Sequence, residues 1–177
     1  MKLKKKAELL VSAALLMFAL VLAGCDFGLE QSGAWGDFQW RLDGGSITIT
    51  GYTGAGGAVT IPAEINGRRV TSIGQNAFAD SQLTYITIPH GVTSIERSAF
   101  WTSRLSKSNI TIPSSVISIG TKAFDGSGMT SITIGANVAL CSFSFNGIGF
   151  EFAYNNGGRL AGTYTRPNTT THIWIRQ

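Results

Sequence analysis

The side chains of this chain best suited to metal ligation or nucleophilic catalysis are two histidines, His90 and His172, and two cysteines, Cys25 and Cys141. They are strung along most of the sequence. Neither histidine stands within sequence reach of a second ligand, so each reads as a solvated side chain. The acidic residues beyond Gly24 are scattered singly, and no carboxylate pair of the kind that hydrolyses glycosides is visible, although residues far apart in sequence could meet in space. There is no G-x-S-x-G, no H-E-x-x-H and no C-x-x-C. The run Gly54-Ala-Gly-Gly57 lacks the Lys-Ser/Thr of a phosphate loop and leads into a strand, so it reads as a turn. The chemistry implied is therefore not catalysis: no cofactor and no metal are expected.

Recognition by a surface is the chemistry that remains. Tyr85 falls at an outward strand position beside Thr87, where Asn109 and Ser131 fill the matching places further on. Trp101 follows Phe100, where Ala79 and Asp125 stand elsewhere. Large amphipathic rings suit contact surfaces; the competing reading is incidental exposure or packing against the nearby stretch SKSN. Thr60, Thr87, Thr111 and Thr133 share one register and would line up as a polar ladder. Tyr85, Thr87, Thr111 and Thr133 are the first candidate binding face, with Trp101 the second.

These residues are positioned by a repeat. VTSIGQNAF from Val70, VTSIERSAF from Val92 and VISIGTKAF from Val116 lie over one another, each followed by Leu83, Leu105 or Met129 and then an I-T-I triplet. Ile73 to Ile95, Phe78 to Phe100 and Val116 to Val138 are each 22 residues apart. Self-similarity at this period marks a solenoid, whose coils bury their apolar faces only against one another. Two insertions lengthen it. AEINGRR between Pro62 and Val70 holds five residues more than HG between Pro89 and Val92, and SKSN is two longer than TY. In each triplet the two Ile should point inward and the Thr outward. Ile61, Ile88, Ile112 and Ile134 then make a buried ladder, coils sit about 4.8 Å apart, and Pro62, Pro89 and Pro113 end the strands. Ile73, Ile95, Ile119 and Cys141 are expected to stack in the interior with Phe78, Phe100 and Phe124.

The pattern I-x-I-P-x-x-V-x-x-I-x-x-x-A-F-x-x-x-x-L resembles the BspA-like class of bacterial leucine-rich repeats over roughly residues 46–138. The resemblance implies a right-handed coil with a parallel sheet, of a kind often found on bacterial surface proteins. Ser81, Ser103 and Ser127 stand where many members carry Cys, and Gly135 replaces the Pro of the last triplet. The pattern decays after Leu140, so the last coil is expected to be a modified cap.

Both raw ends of a solenoid need covers. Asp37–Leu42, the turn Asp43-Gly-Gly45 and Ser46–Thr50 read as a β-hairpin at one end. Ala161–Arg166 and His172–Ile175 read as a second hairpin at the other, with Tyr164 and Trp174 available to pair across it. A short helix near Phe150–Tyr154 is expected between. The fold class is thus mainly β, a short right-handed repeat solenoid with a parallel sheet and a hairpin cap at each end.

Met1–Gly24 reads as an export signal, with Lys2, Lys4, Lys5 and Lys6 before an apolar run too short for a comfortable membrane span. Leu22-Ala23-Gly24-Cys25 resembles a bacterial lipobox, which implies cleavage before Cys25 and acylation of that residue; an ordinary signal peptide or an uncleaved anchor is the alternative. Two or more acyl chains hold a protein firmly to a membrane. Four of the fourteen Lys and Arg lie in this segment, so the mature chain is nearly neutral and no nucleic-acid partner is implied. With Cys25 acylated no disulfide can form within the chain. The expected division is a signal at 1–24, a tether at 25–36, an N-terminal cap at 37–58, repeats at 59–147 and a C-terminal cap at 148–177. The functional expectation is a non-catalytic, lipid-anchored binding module contacting a host or cell-surface protein or a glycan, as an adhesin does. A scaffolding envelope lipoprotein and a cell-wall enzyme are the alternatives. The outer membrane surface is the expected location, and Asp26 after Cys25 keeps the periplasmic face of the inner membrane open.

Overall fold

The computed structural model describes residues 31–105, 109–145 and 149–177. The signal and Cys25 lie outside the described residues. The N-terminal cap is built from β1 (Ser32–Trp35), β2 (Phe38–Asp43) and β3 (Ser46–Tyr52), paired antiparallel in that order. Gly44 and Gly45 carry φ of 54° and 87°, the left-handed values that a two-residue hairpin turn requires. The strand β1 lies within the 25–36 segment read as a tether.

Beyond the cap the chain winds through β4 (Gly57–Thr60), β5 (Glu64–Ile65), β6 (Arg68–Ile73), β7 (Leu83–Thr87), β8 (Ser94–Ile95), β9 (Asn109–Thr111), β10 (Ser118–Ile119), β11 (Ser131–Ile134) and β12 (Ala139–Leu140). Two parallel ladders result where one was expected. The longer continues the cap as β1-β2-β3-β6-β8-β10-β12 and pairs Ser72 with Ser94, Ser94 with Ser118, and Ile73 with Ile95. The other carries the I-T-I triplets and is divided: β4 pairs only with β7, while β9 joins β11.

Between the ladders lies the core. Ile61, Ile88, Ile112 and Ile134 are buried on one side, and Ile73, Ile95 and Ile119 on the other. At the far end of each coil Phe78, Phe100, Phe124 and Phe145 stack with centroids 5.0, 5.0 and 4.9 Å apart. That spacing is close to the inter-strand spacing, so each ring lies on the next without adjustment of the coil. Tyr52 of the cap begins the column, 5.3 Å from Phe78.

The last coil departs from expectation at one residue. Leu140, not Cys141, stands opposite Ile119. The Cys141 amide donates to the Ile119 carbonyl just as those of Glu96 and Gly120 donate to Ile73 and Ile95, so Cys141 occupies the position after the buried one and is exposed. The coil is one residue short between Val138 and its inward residue, and with a side-chain period of two such a slip exchanges the faces.

The C-terminal cap comprises the helix α1 (Phe150–Asn156), β13 (Gly162–Thr165) and β14 (Ile175–Arg176). The strand β13 pairs antiparallel with β11, extending the triplet sheet, and with β14. Tyr164 stands opposite Arg176; Trp174 packs instead on Phe150, 5.3 Å between centroids, so the expected Tyr164–Trp174 cross-strand pair does not form. Phe150 also closes the phenylalanine column, meeting Phe145 edge-on at 4.7 Å. Arg166 is buried and, among the described residues, meets no carboxylate; its Nε donates to the Met129 carbonyl and its Nη1 to the carbonyls of Thr169 and Thr171, with the guanidinium 5.1 Å from the Trp174 ring. Burial pulls its pKa below the usual arginine value.

Candidate functional site

The division of the triplet sheet is where the candidate residues gather. Thr60 pairs with Thr87, and Thr111 with Thr133, but no ladder joins β7 to β9. Between these strands lies a notch of about 260 Å³, walled by Tyr85, Thr87, Pro89 and His90 from the β7 side and by Thr111 and Pro113 from the β9 side. Its floor is the edge of Ile86 and Ile88, both otherwise buried. The break falls in the coil lengthened by SKSN, whose residues 106–108 lie outside the described residues.

Strand alternation sets the orientation of these groups. In β7 Ile86 is buried between the exposed Tyr85 and Thr87, whereas Leu83, buried although two residues from Tyr85, lies beyond a register irregularity opposite Gly57 and Ala58; Pro89 ends the strand and carries His90 into the corner. Tyr85 is 45% exposed, a large fraction for a tyrosine flanked by strands. The wall thus offers one phenol ring with its hydroxyl, two threonine hydroxyls and an imidazole, with no carboxylate and no Lys or Arg among its described lining residues. Such a lining can stack on a flat apolar face and hydrogen-bond hydroxyls or amides.

Thr133 and Trp101 are not part of the notch. The Thr133 hydroxyl is 2.8 Å from that of Thr163, which β13 brings alongside, so the cap covers that end of the ladder. Trp101, 41% exposed, sits beyond the phenylalanine column on a different corner. His90, read as merely solvated, is the residue that the sequence analysis left out of the face; its place directly after Pro89 was the available signal. Among the described residues no group of three or more His, Cys, Asp or Glu could hold a metal ion.

The serines at the Cys positions of the repeat differ from one another. Ser81 and Ser127 donate to the carbonyls of Phe78 and Phe124. The Ser103 hydroxyl is buried with no hydrogen-bond partner among the described residues.

Comparison with known proteins follows the repeat. Residues 60–150 match the BspA type leucine rich repeat region in 6 copies. A leucine-rich repeat protein from Bacteroides capillosus is 31% identical, with 66% of this chain aligned to 92% of that one at a TM-score of 0.57. A leucine rich cell surface protein from Faecalibacterium prausnitzii is 30% identical over 59% of this chain, at a TM-score of 0.51; the match spans 32% of that protein's length. A leucine rich repeat protein of T. pallidum shares the fold at 23% identity, 67% of this chain on 68% of that one, with a TM-score of 0.51. No curated protein matches the chain.

Proposed function

Because the chain belongs to the BspA-type leucine-rich repeat family, we propose that it is a lipid-anchored, non-catalytic binding module of the bacterial cell surface, which makes its contact through the notch between β7 and β9. The observation that carries this reading is the exposed Tyr85 ring set beside Thr87, His90 and Thr111, in a cleft whose described lining carries no carboxylate. A rigid coil stack presents such a cleft without reorganisation on binding, which favours recognition of a protein or glycan surface. The lipobox-like Leu22–Cys25 supports the anchor, and the cell-surface relative supports an outward location.

Three measurements test the proposal. Cys25→Ser should block acylation and release the protein from the membrane fraction. Protease treatment of intact cells should remove the domain; full protection would instead favour the scaffolding role inside the envelope. Cells bearing the wild-type protein should adhere to host matrix proteins or glycans more strongly than cells bearing Tyr85→Ala. Equal adherence by the two, with the variant folded and present in equal amount, would remove the notch from the contact.

A further inference from the structure

The insertion AEINGRR is not needed to close a coil, because two residues, His90 and Gly91, make the same corner one repeat later. It folds as the hairpin β5–β6 around Asn66 and Gly67, whose φ values are 52° and 74°. The parallel pairing of Ile47 in β3 with Val70 in β6 brings this turn alongside the Gly44-Gly45 turn of the cap. Two left-handed hairpin turns therefore stand side by side and bound an open groove of about 610 Å³ that contains Arg68 and Arg69. A Cβ on Gly44, Gly45 or Gly67 would meet nothing within 4 Å, so the turns leave the groove mouth clear.

The charges in the groove are unbalanced. No acidic residue lines it among the described residues. Asp43 at its rim is already held by Arg41, 3.4 Å away. Glu64 is the register partner of Arg69 across the hairpin, yet the two form no ion pair. Among the described residues Arg68 reaches only the Gly45 carbonyl, at 3.4 Å, a contact that positions its guanidinium across the groove. On the wall the Thr71 hydroxyl donates to that of Ser46 at 2.9 Å, and Ser46 donates in turn to the Asp43 carbonyl at 2.9 Å, so both hydroxyl hydrogens are already used and the arginines are the donors left to a ligand.

We propose that the groove of Arg68 and Arg69 is a second binding site, distinct from the notch, for an acidic polysaccharide recognised through its sulfate or carboxylate groups. A guanidinium presents a planar fork that matches a carboxylate or sulfate edge, and adjacent Arg residues offer two. Both are exposed, so a single contact is weak and screened by salt. A polymer with repeated charges overcomes this by rebinding, and an open groove of about 610 Å³ has room for more than one small ion.

The test uses the full chain in non-ionic detergent against four probes: heparin, polygalacturonate, neutral dextran and phosphatidylglycerol vesicles. The wild-type protein should bind heparin or polygalacturonate, the preferred one identifying the sulfate or the carboxylate, and should not bind dextran. R68Q/R69Q should weaken that binding about tenfold or more. R97Q/K122Q, which removes the same charge elsewhere, should leave it within about twofold. E64Q, which removes the carboxylate that stands opposite Arg69 in the hairpin register, should strengthen it and leaves the arginines in place should R68Q/R69Q fold poorly. Equal weakening by the two double variants, no gain from E64Q, binding to dextran, or binding confined to the vesicles would each overturn the proposal.

Discussion

Phe124 lies flat on Phe100, with ring centroids 5.0 Å apart and planes inclined by 8°. Both rings are fully buried, and each is also sandwiched by the ring of the next coil. The column is therefore the continuous spine of the solenoid, and a gap in its middle is felt by both neighbours. Phe100→Ala should cost about 3–5 kcal/mol of stability, measured by denaturant unfolding. A cost near 1 kcal/mol would mean that the coils collapse over the gap.

The buried serines should respond in opposite directions. Ser103 has a hydroxyl without a partner, so Ser103→Ala should raise stability by about 1 kcal/mol. Ser127 donates to the Phe124 carbonyl, so Ser127→Ala should lower it by about the same amount. Unfolding midpoints of the two variants read the contrast, and a loss in both would show that Ser103 is satisfied in solution.

Cys141 should react with a thiol reagent in the native protein, because it is exposed. In a Cys25→Ser chain one thiol should therefore titrate without denaturant. Cys141→Ser should change stability by less than about 0.5 kcal/mol, whereas Leu140→Ser should cost clearly more. Protection of the thiol until unfolding would restore Cys141 to the interior.

Stability should fall at alkaline pH. Burial raises the pKa of Tyr154 and of Tyr164 above the ordinary 10.0; for Tyr154 the bond from the Val138 amide and the Arg159 charge oppose it, more weakly. Below pH 10 both states keep their phenolic protons and the contribution is fully present. As pH rises from there through the folded-state values, the unfolded chain loses its protons first and the contribution is lost. The Tyr154 hydroxyl donates to the Gly135 carbonyl at 2.6 Å, so its ionisation also breaks a cap contact. Tyr164→Phe should flatten the fall above pH 10 in a series of unfolding curves, and an unchanged slope would exclude that residue.

The repeat itself determined the coil, the burial of the Ile ladders and the stacking of Phe78, Phe100 and Phe124. In a solenoid the same position in each period meets the same environment, so one pattern assigns many residues at once. The N-terminal hairpin and the short helix were legible for local reasons, from the Gly-Gly turn and the aromatic spacing. Only the tertiary structure decided what depends on small offsets between coils. Val138 keeps the period of 22, yet Leu140 rather than Cys141 faces inward, because the missing residue falls between them and a slip of one exchanges the faces of a strand. The break between β7 and β9 and the meeting of two hairpin turns around Arg68 and Arg69 likewise arise from how separate coils abut. That is a relation in space, and the repeat does not encode it in any single period.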